Sequence, residues 1–151
     1  MMRLIEFTEG ILEKSWIWLN DSEIKHLTNT PDFTKESQRE WFDNLPKNHC
    51  YWVKGIEYEG RVIGVVGLKF IDKEQKKAEY FGYIGEKEFW GRGLSKLLFD
   101  LVFEVAKEKF KLENLYLNVI SQNVRAIKAY EKAGFRIDEI TDKNVVMTKL
   151  L

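Results

Sequence analysis

Asn123-Val124-Arg125-Ala126-Ile127-Lys128-Ala129-Tyr130-Glu131-Lys132-Ala133-Gly134-Phe135 opens with a residue that caps helices and closes with the glycine that ends them. Residues three, four and seven apart line up on an α-helix, so Asn123, Ala126, Ile127 and Tyr130 share one face. A phenol one turn beyond the small Ala126 makes that face a proton-carrying surface that a thin ligand can approach. The stretch therefore predicts a short helix built to present Tyr130.

Upstream, Trp90-Gly91-Arg92-Gly93-Leu94-Ser95 stands at the mouth of a second helix. Leu94, Leu97, Leu98, Leu101, Val102, Val105 and Ala106 recur at helical spacing, which carries that helix to about Phe110. Helix N-termini hold unpaired N–H groups and about half a positive charge, so they attract phosphate. Gly91 and Gly93 let the main chain take positive φ and approach an anion, and Arg92 can add a charge-assisted contact. A glycine-rich turn without a ligand is the plainer alternative.

The flanking segments read as strands and short helices. Leu115 to Val119 is a strand between the two helices, and Phe135 to Ile140 and Val145 to Lys149 are two closing strands. Before the glycine turn, Cys50 to Tyr58 and Arg61 to Phe70 are separated by Glu59-Gly60 and predict a hairpin, with Lys77 to Ile84 as a third strand. Arg3 to Phe7 is a first strand. Ile11 to about Leu27 suits two short helices broken at Asn20-Asp21-Ser22. Thr34 starts another, with Trp41, Phe42 and Leu45 on its apolar side, and it ends before Pro46. The order predicts an α+β fold: a mixed, mostly antiparallel sheet of about seven strands flanked by helices.

The chain of 151 residues is expected to be one domain, residues 1–151, with its own core. Apolar residues at 44% and charged residues at 32% are the balance of a globular protein. Twenty-four basic against 24 acidic side chains give zero formal charge, which argues against nucleic-acid or anionic-membrane partners. Lys73 to Lys77 reads as a solvated loop. The single Cys50 excludes an internal disulfide and a zinc cluster; at the start of an apolar strand it is expected to be packing rather than a nucleophile. No metal is expected. His26 and His49 read as surface or packing residues. No apolar run approaches the ~20 residues of a membrane span and the N-terminus has no signal-peptide pattern, so a cytoplasmic location is expected.

With these residues in view, the chain resembles the GNAT superfamily of N-acetyltransferases. The family's N-x-x-A-x-x-x-Y-x-x-x-G-F signature is met by Asn123, Ala126, Tyr130, Gly134 and Phe135. Its Q/R-x-x-G-x-G/A loop is met at Gly93, with Trp90 in the Q/R place and Ser95 in the G/A place. Trp90-Gly91 looks like the branch of ribosomal-protein N-terminal acetyltransferases and several amino-sugar and diamine acetyltransferases. The resemblance covers nearly the whole chain. It implies acetyl-CoA as co-substrate, lying between splayed parallel strands, here Lys77 to Ile84 and Leu115 to Val119.

The same resemblance assigns the site. Tyr83 and Ile84 would offer backbone groups to the pantetheine, which bonds as an added strand. Trp90, Gly91, Arg92, Gly93, Leu94 and Ser95 would cradle the pyrophosphate. Asn123 would touch the pantetheine while Ala126 leaves it room. Tyr130 would protonate the leaving thiolate, a neighbouring helix start narrowing the gap between phenol and thiol; a core tyrosine is the alternative. Glu79 would be the base through water, against an exposed strand charge, and it shares a face with Phe81 and Tyr83 if the strand is regular. Trp16, Trp18, Phe33, Trp41 and Trp52 give an aromatic-rich neighbourhood, some of it core, in which one or two rings could form a platform for the acceptor. The expected acceptor is a small-molecule primary amine, with an amino sugar or sugar nucleotide preferred over a protein N-terminus. A homodimer, a non-catalytic CoA-binding regulatory domain and a nucleotide module using only the glycine turn are the remaining readings.

Overall fold

The computed structural model describes residues 1–151. Its strands are β1 Met2–Glu6, β2 Trp52–Tyr58, β3 Arg61–Asp72, β4 Lys77–Ile84, β5 Asn114–Ile120, β6 Arg136–Ile140 and β7 Asn144–Leu150. Its helices are α1 Glu9–Asn20, α2 Ser22–Leu27, α3 Lys35–Asn44, α4 Ser95–Glu108 and α5 Val124–Lys132. The strands make one sheet in the order β1-β2-β3-β4-β5-β7-β6, antiparallel at every step except β4 beside β5. This is the expected mixed sheet flanked by helices.

Local chemistry sets the helix boundaries. Asp21 takes extended backbone after α1, and its carboxylate accepts from the N–H groups of Glu23 and Ile24 at 3.0 and 3.1 Å, which starts α2. Thr34 and Ser37 form a reciprocal capping box at α3. The rings of Trp41 and Phe42 then settle against Phe7, with centroids 5.8 and 5.9 Å away. On α4 the buried stripe is Leu98, Phe99, Val102 and Ala106; Leu97, expected inside, is 45% exposed. Each such fully buried large side chain contributes about 1.5–3 kcal/mol.

Side chains alternate across the strands, so the sheet separates two cores. Ile56, Val66, Leu68, Ala78, Leu115, Leu117 and Met147 pack with the α4 stripe. Phe7, Ile11, Leu12, Trp18, Ile24 and Val65 form the smaller core with α1 and α2. Cys50 departs from expectation: it is exposed and outside β2. The Asn48 side chain accepts its N–H at 3.1 Å, so a turn captures the segment two residues before the ladder begins. No helix is long and apolar enough to cross a membrane.

The feature that positions the site is the junction of β4 and β5. They pair over only three positions, Lys77 with Asn114, Ala78 with Leu115 and Glu79 with Tyr116. Beyond Glu79, β4 stays with β3 as far as Ile84, while β5 stays with β7 as far as Ile120. Each strand follows its outer neighbour, and a V-shaped gap opens between them.

Candidate active site

A cavity of about 1570 Å³ passes through this gap. Its wall includes Phe81 and Tyr83 from one face of β4 and Tyr80, Phe99 and Tyr130 from the other. The expected site residues Glu79, Tyr83, Ile84, Trp90 to Ser95, Asn123, Ala126 and Tyr130 all line it.

The α5 segment shows why its residues occur in that order. Asn123 caps the helix, its Oδ1 accepting from the Ala126 N–H at 3.3 Å, while its Nδ2 donates to the Leu27 carbonyl at 3.4 Å. Its amide is thus committed to α5 and α2. At the other end Gly134 takes φ +101°. The Gly134 N–H donates to Glu131 and the Phe135 N–H to Tyr130, both at 3.0 Å. These paired bonds bring the residue after the glycine back over the last turn. Phe135 accordingly packs on Tyr130 at 5.7 Å, with Phe99 at 5.6 Å and Tyr80 at 6.1 Å completing the ring of aromatics.

The Tyr130 hydroxyl has no protein partner, and no side-chain polar atom shut off from solvent lacks one, so the hydroxyl opens into the cavity. Burial pushes this phenol up to about 12. The expected narrowing of the gap to a thiol does not occur, because desolvation outweighs the helix field. Against a thiol near 8.5, complete proton transfer ahead of C–S cleavage is uphill by roughly 5 kcal/mol. A phenol in this setting gives up its proton as charge builds on sulfur.

The glycine turn is open. Gly91 and Gly93 have φ +74° and +72°, and a Cβ added at either would meet nothing within 4 Å. Leu94 is buried and gives α4 no side-chain cap, so the first N–H groups of α4 remain available. The Arg92 guanidinium stacks on Phe89 at 4.8 Å. The sequence reading missed what Trp90 does: its indole N–H donates to the Ile84 carbonyl at 2.7 Å, and Arg125 lies 5.7 Å over its ring. One side chain ties the turn to β4 and α5.

This bond also corrects the backbone expectation, since the Ile84 carbonyl is already engaged. The Lys76 carbonyl accepts from the N–H groups of Glu113 and Asn114, so it faces β5. The Tyr83 carbonyl lies against β3, where a Cβ on Gly64 would come within 2.2 Å of it. The one β3–β4 register shift puts its extra residue on β3, between Lys69 and Asp72, so alternation along β4 is unbroken and points Ala78, Tyr80, Gly82 and Ile84 toward β5. The unpaired main chain in the gap is therefore that of Gly82 with the Ile84 N–H, rather than that of Tyr83. The Tyr83 ring packs 6.1 Å from Trp18, and burial raises its phenol well above the ordinary range.

Charge divides the cavity. Arg92, Lys96, Arg125, Lys128, Lys132 and Lys149 line the turn and α5 end, with Asp100 the one acid, paired to Lys96 at 3.1 Å. The other end has Lys69 and Glu79, paired at 3.5 Å. Glu79 shares a face with Phe81 and Tyr83, as expected of a regular strand. Burial first, then the Glu79 charge, raises the Tyr51 and Tyr116 phenols. The rest of this end includes Phe33 and Trp41, further apolar residues such as Leu19 and Leu27, and the neutral polar groups Ser15, Thr28, Thr30, Ser37 and Gln38. The five expected aromatics do not form one neighbourhood. Trp18 and Trp52 are buried in opposite cores, and Trp16 packs edge-on to Phe33 at 5.1 Å. His26 is exposed and bonds Gln122 at 2.9 Å, and His49 is exposed.

An open amide turn, an unpaired strand edge and a buried phenol that opens into the same cleft suit an acyltransferase that draws on a long phosphorylated thioester. Residues 14–135 match the model of the Acetyltransferase (GNAT) family, and the chain belongs to that family. It is an acetyl-CoA-dependent N-acetyltransferase. It is 26% identical over 114 residues to a probable spermine N(1)-acetyltransferase of Bacillus subtilis subsp. natto, covering 72% of this chain and 75% of that one. Spermidine N-acetyltransferase from Vibrio cholerae, solved with CoA and spermine, superposes at a TM-score of 0.86 and 20% identity over 99% of this chain and 94% of that one. Campylobacter jejuni N-acetyltransferase PseH, solved with acetyl coenzyme A, superposes at 0.78 and 18% identity over 99% of each chain. At these identities the structural likeness shows the fold.

Proposed function

We propose that the acceptor is a primary amine carried on a small hydroxylated molecule, an amino sugar or sugar nucleotide, acetylated by direct attack in a ternary complex. The observation that carries this reading is the acceptor end of the cavity, where the one carboxylate, Glu79, is already paired with Lys69. A polyamine, the substrate named for the Bacillus and Vibrio proteins, brings two or more further positive charges. Those need carboxylates, and here they would meet Lys69. A hydroxylated ring finds partners instead. The Gln38 Nε2 donates to the Ser15 hydroxyl at 3.0 Å and to the Leu12 carbonyl at 3.4 Å. A carbonyl can only accept, so the amide orientation is set and Gln38 presents its oxygen as an acceptor for a hydroxyl or N–H.

Placement in the cleft supports the following roles. The turn from Trp90 to Ser95 with the α4 N-terminus holds the pyrophosphate, and Arg92 and Arg125 beside the turn favour its charge. Gly82 and the Ile84 N–H pair with the pantetheine amides, and Ala126 leaves space for them. A Gly82 or Ile84 N–H polarises the thioester carbonyl. Glu79 takes the amine proton through water, and Tyr130 protonates the departing sulfur. Holding both reactants in one cleft removes several kcal/mol of the barrier.

Following CoA thiol release across an amine panel tests the assignment. Amino sugars or amine-bearing sugar nucleotides should turn over with the highest kcat/KM, ahead of spermidine and of peptides with free N-termini. Faster turnover of spermidine or a peptide would overturn it. Binding of acetyl-CoA with no release by any amine would favour a regulatory domain.

A further inference from the structure

Tyr80 is a buried tyrosine, 4% exposed, with no hydrogen-bond partner for its hydroxyl. Buried phenols ordinarily find one. Because no side-chain polar atom closed off from solvent lacks a partner, the Tyr80 oxygen reaches the cavity that this residue lines. Its position is set by Gly82: a Cβ there would stand 2.9 Å from the Tyr80 oxygen. The oxygen therefore lies beside the stretch of β4 whose main chain is unpaired in the gap. The Tyr80 ring is also 6.1 Å from that of Tyr130, and both rest on Phe99 and Phe135. Two phenols without protein partners thus open onto the same gap from adjacent elements.

We propose that the Tyr80 hydroxyl is a second hydrogen-bond donor to the thioester sulfur, acting beside Tyr130 as the C–S bond breaks. The inference rests on the acyl-transfer roles assigned above. As the amine nitrogen bonds the acetyl carbon, the C–S bond breaks and its electron pair goes to sulfur. Tyr130 supplies the proton that completes the thiol and recovers one from cavity water. Tyr80 keeps its own proton and shares it with the charged sulfur throughout. The amine proton leaves toward Glu79 or solvent. A phenol as weakly acidic as Tyr130 transfers late, so the sulfur carries charge before it is protonated, and a second donor acts in that interval. Burial holds the Tyr80 phenol well above its ordinary range, with Tyr130 as the lesser cause, so it remains a donor at every working pH.

Tyr80→Phe removes one oxygen and no protein hydrogen bond, so a purely structural Tyr80 would tolerate it. We expect kcat to fall about tenfold with the KM for acetyl-CoA within twofold, and thermal stability to be kept. A second measurement stands apart from turnover. Calorimetric binding at pH 9, where much of the free thiol is ionised, should show CoA bound several-fold more weakly by Tyr80→Phe, with desulfo-CoA bound equally by both proteins. Wild-type kcat in the variant would overturn the proposal, and so would an equal loss for CoA and desulfo-CoA. Failure of the acyl-transfer reading itself would look different, since the unmutated protein would then release no thiol with any amine.

Discussion

Burial that holds Tyr130 near 12 keeps its phenol protonated across the usual assay range. With saturating substrates, kcat should rise with pH as the acceptor amine loses its proton, and show no alkaline fall below about pH 11. A fall with a midpoint near 10 would mean that Tyr130 titrates as an ordinary exposed phenol. Tyr130→Phe keeps the contacts with Phe99 and Phe135 and deletes only the hydroxyl. It should lower kcat about 100-fold and leave the KM for acetyl-CoA within threefold. Asn123, Tyr130, Gly134 and Phe135 could be read from the chain because each serves a bond within a dozen residues: the cap, the paired closing bonds and the ring contact they create. The raised phenol could not, since it comes from Phe99 on α4 and Tyr80 on β4, which sequence spacing does not bring near.

Among the elements, the turn into α4 behaves as its glycines suggested, with both at positive φ and open space where side chains would be. Gly93→Val imposes a backbone conformation that costs an L-residue about 1–2 kcal/mol and fills the cradle with a branched side chain. Acetyl-CoA affinity should drop at least tenfold by calorimetry while the far-ultraviolet helix signal is retained; unaltered affinity would remove the turn from the binding site. β4 was legible as a strand but not as a ladder. Which of Gly82 and Tyr83 turns its main chain to the gap depends on register against β3, and a shift of one residue exchanges them. Trp90 likewise read as part of the turn, but its donor goes to Ile84, a contact set by how the loop folds back.

Across the whole molecule, zero net charge conceals a division, with cations gathered at the turn and α5 end and the Lys69–Glu79 pair alone at the other. Burial raises the phenols of Tyr80, Tyr83 and Tyr130, which the unfolded chain titrates near 10. Stability from these groups is complete below about pH 10 and is lost as pH rises through their folded values, because the unfolded chain then releases protons that the folded one keeps. The thermal midpoint should be level from pH 8 to 10 and fall steeply by pH 11, and a level midpoint at pH 11 would mean the three hydroxyls are freely hydrated. The amino-acid sequence by itself determined the order of elements, the caps and the glycine turns, because these depend on hydrophobic period and on bonds between near neighbours. Only the tertiary structure decided the splay of β4 from β5, the Gly82 main chain in the gap, the Tyr80–Tyr130 pair and the single-carboxylate acceptor end. Those depend on which strand each edge follows and on which side chains distant segments bring to one cavity.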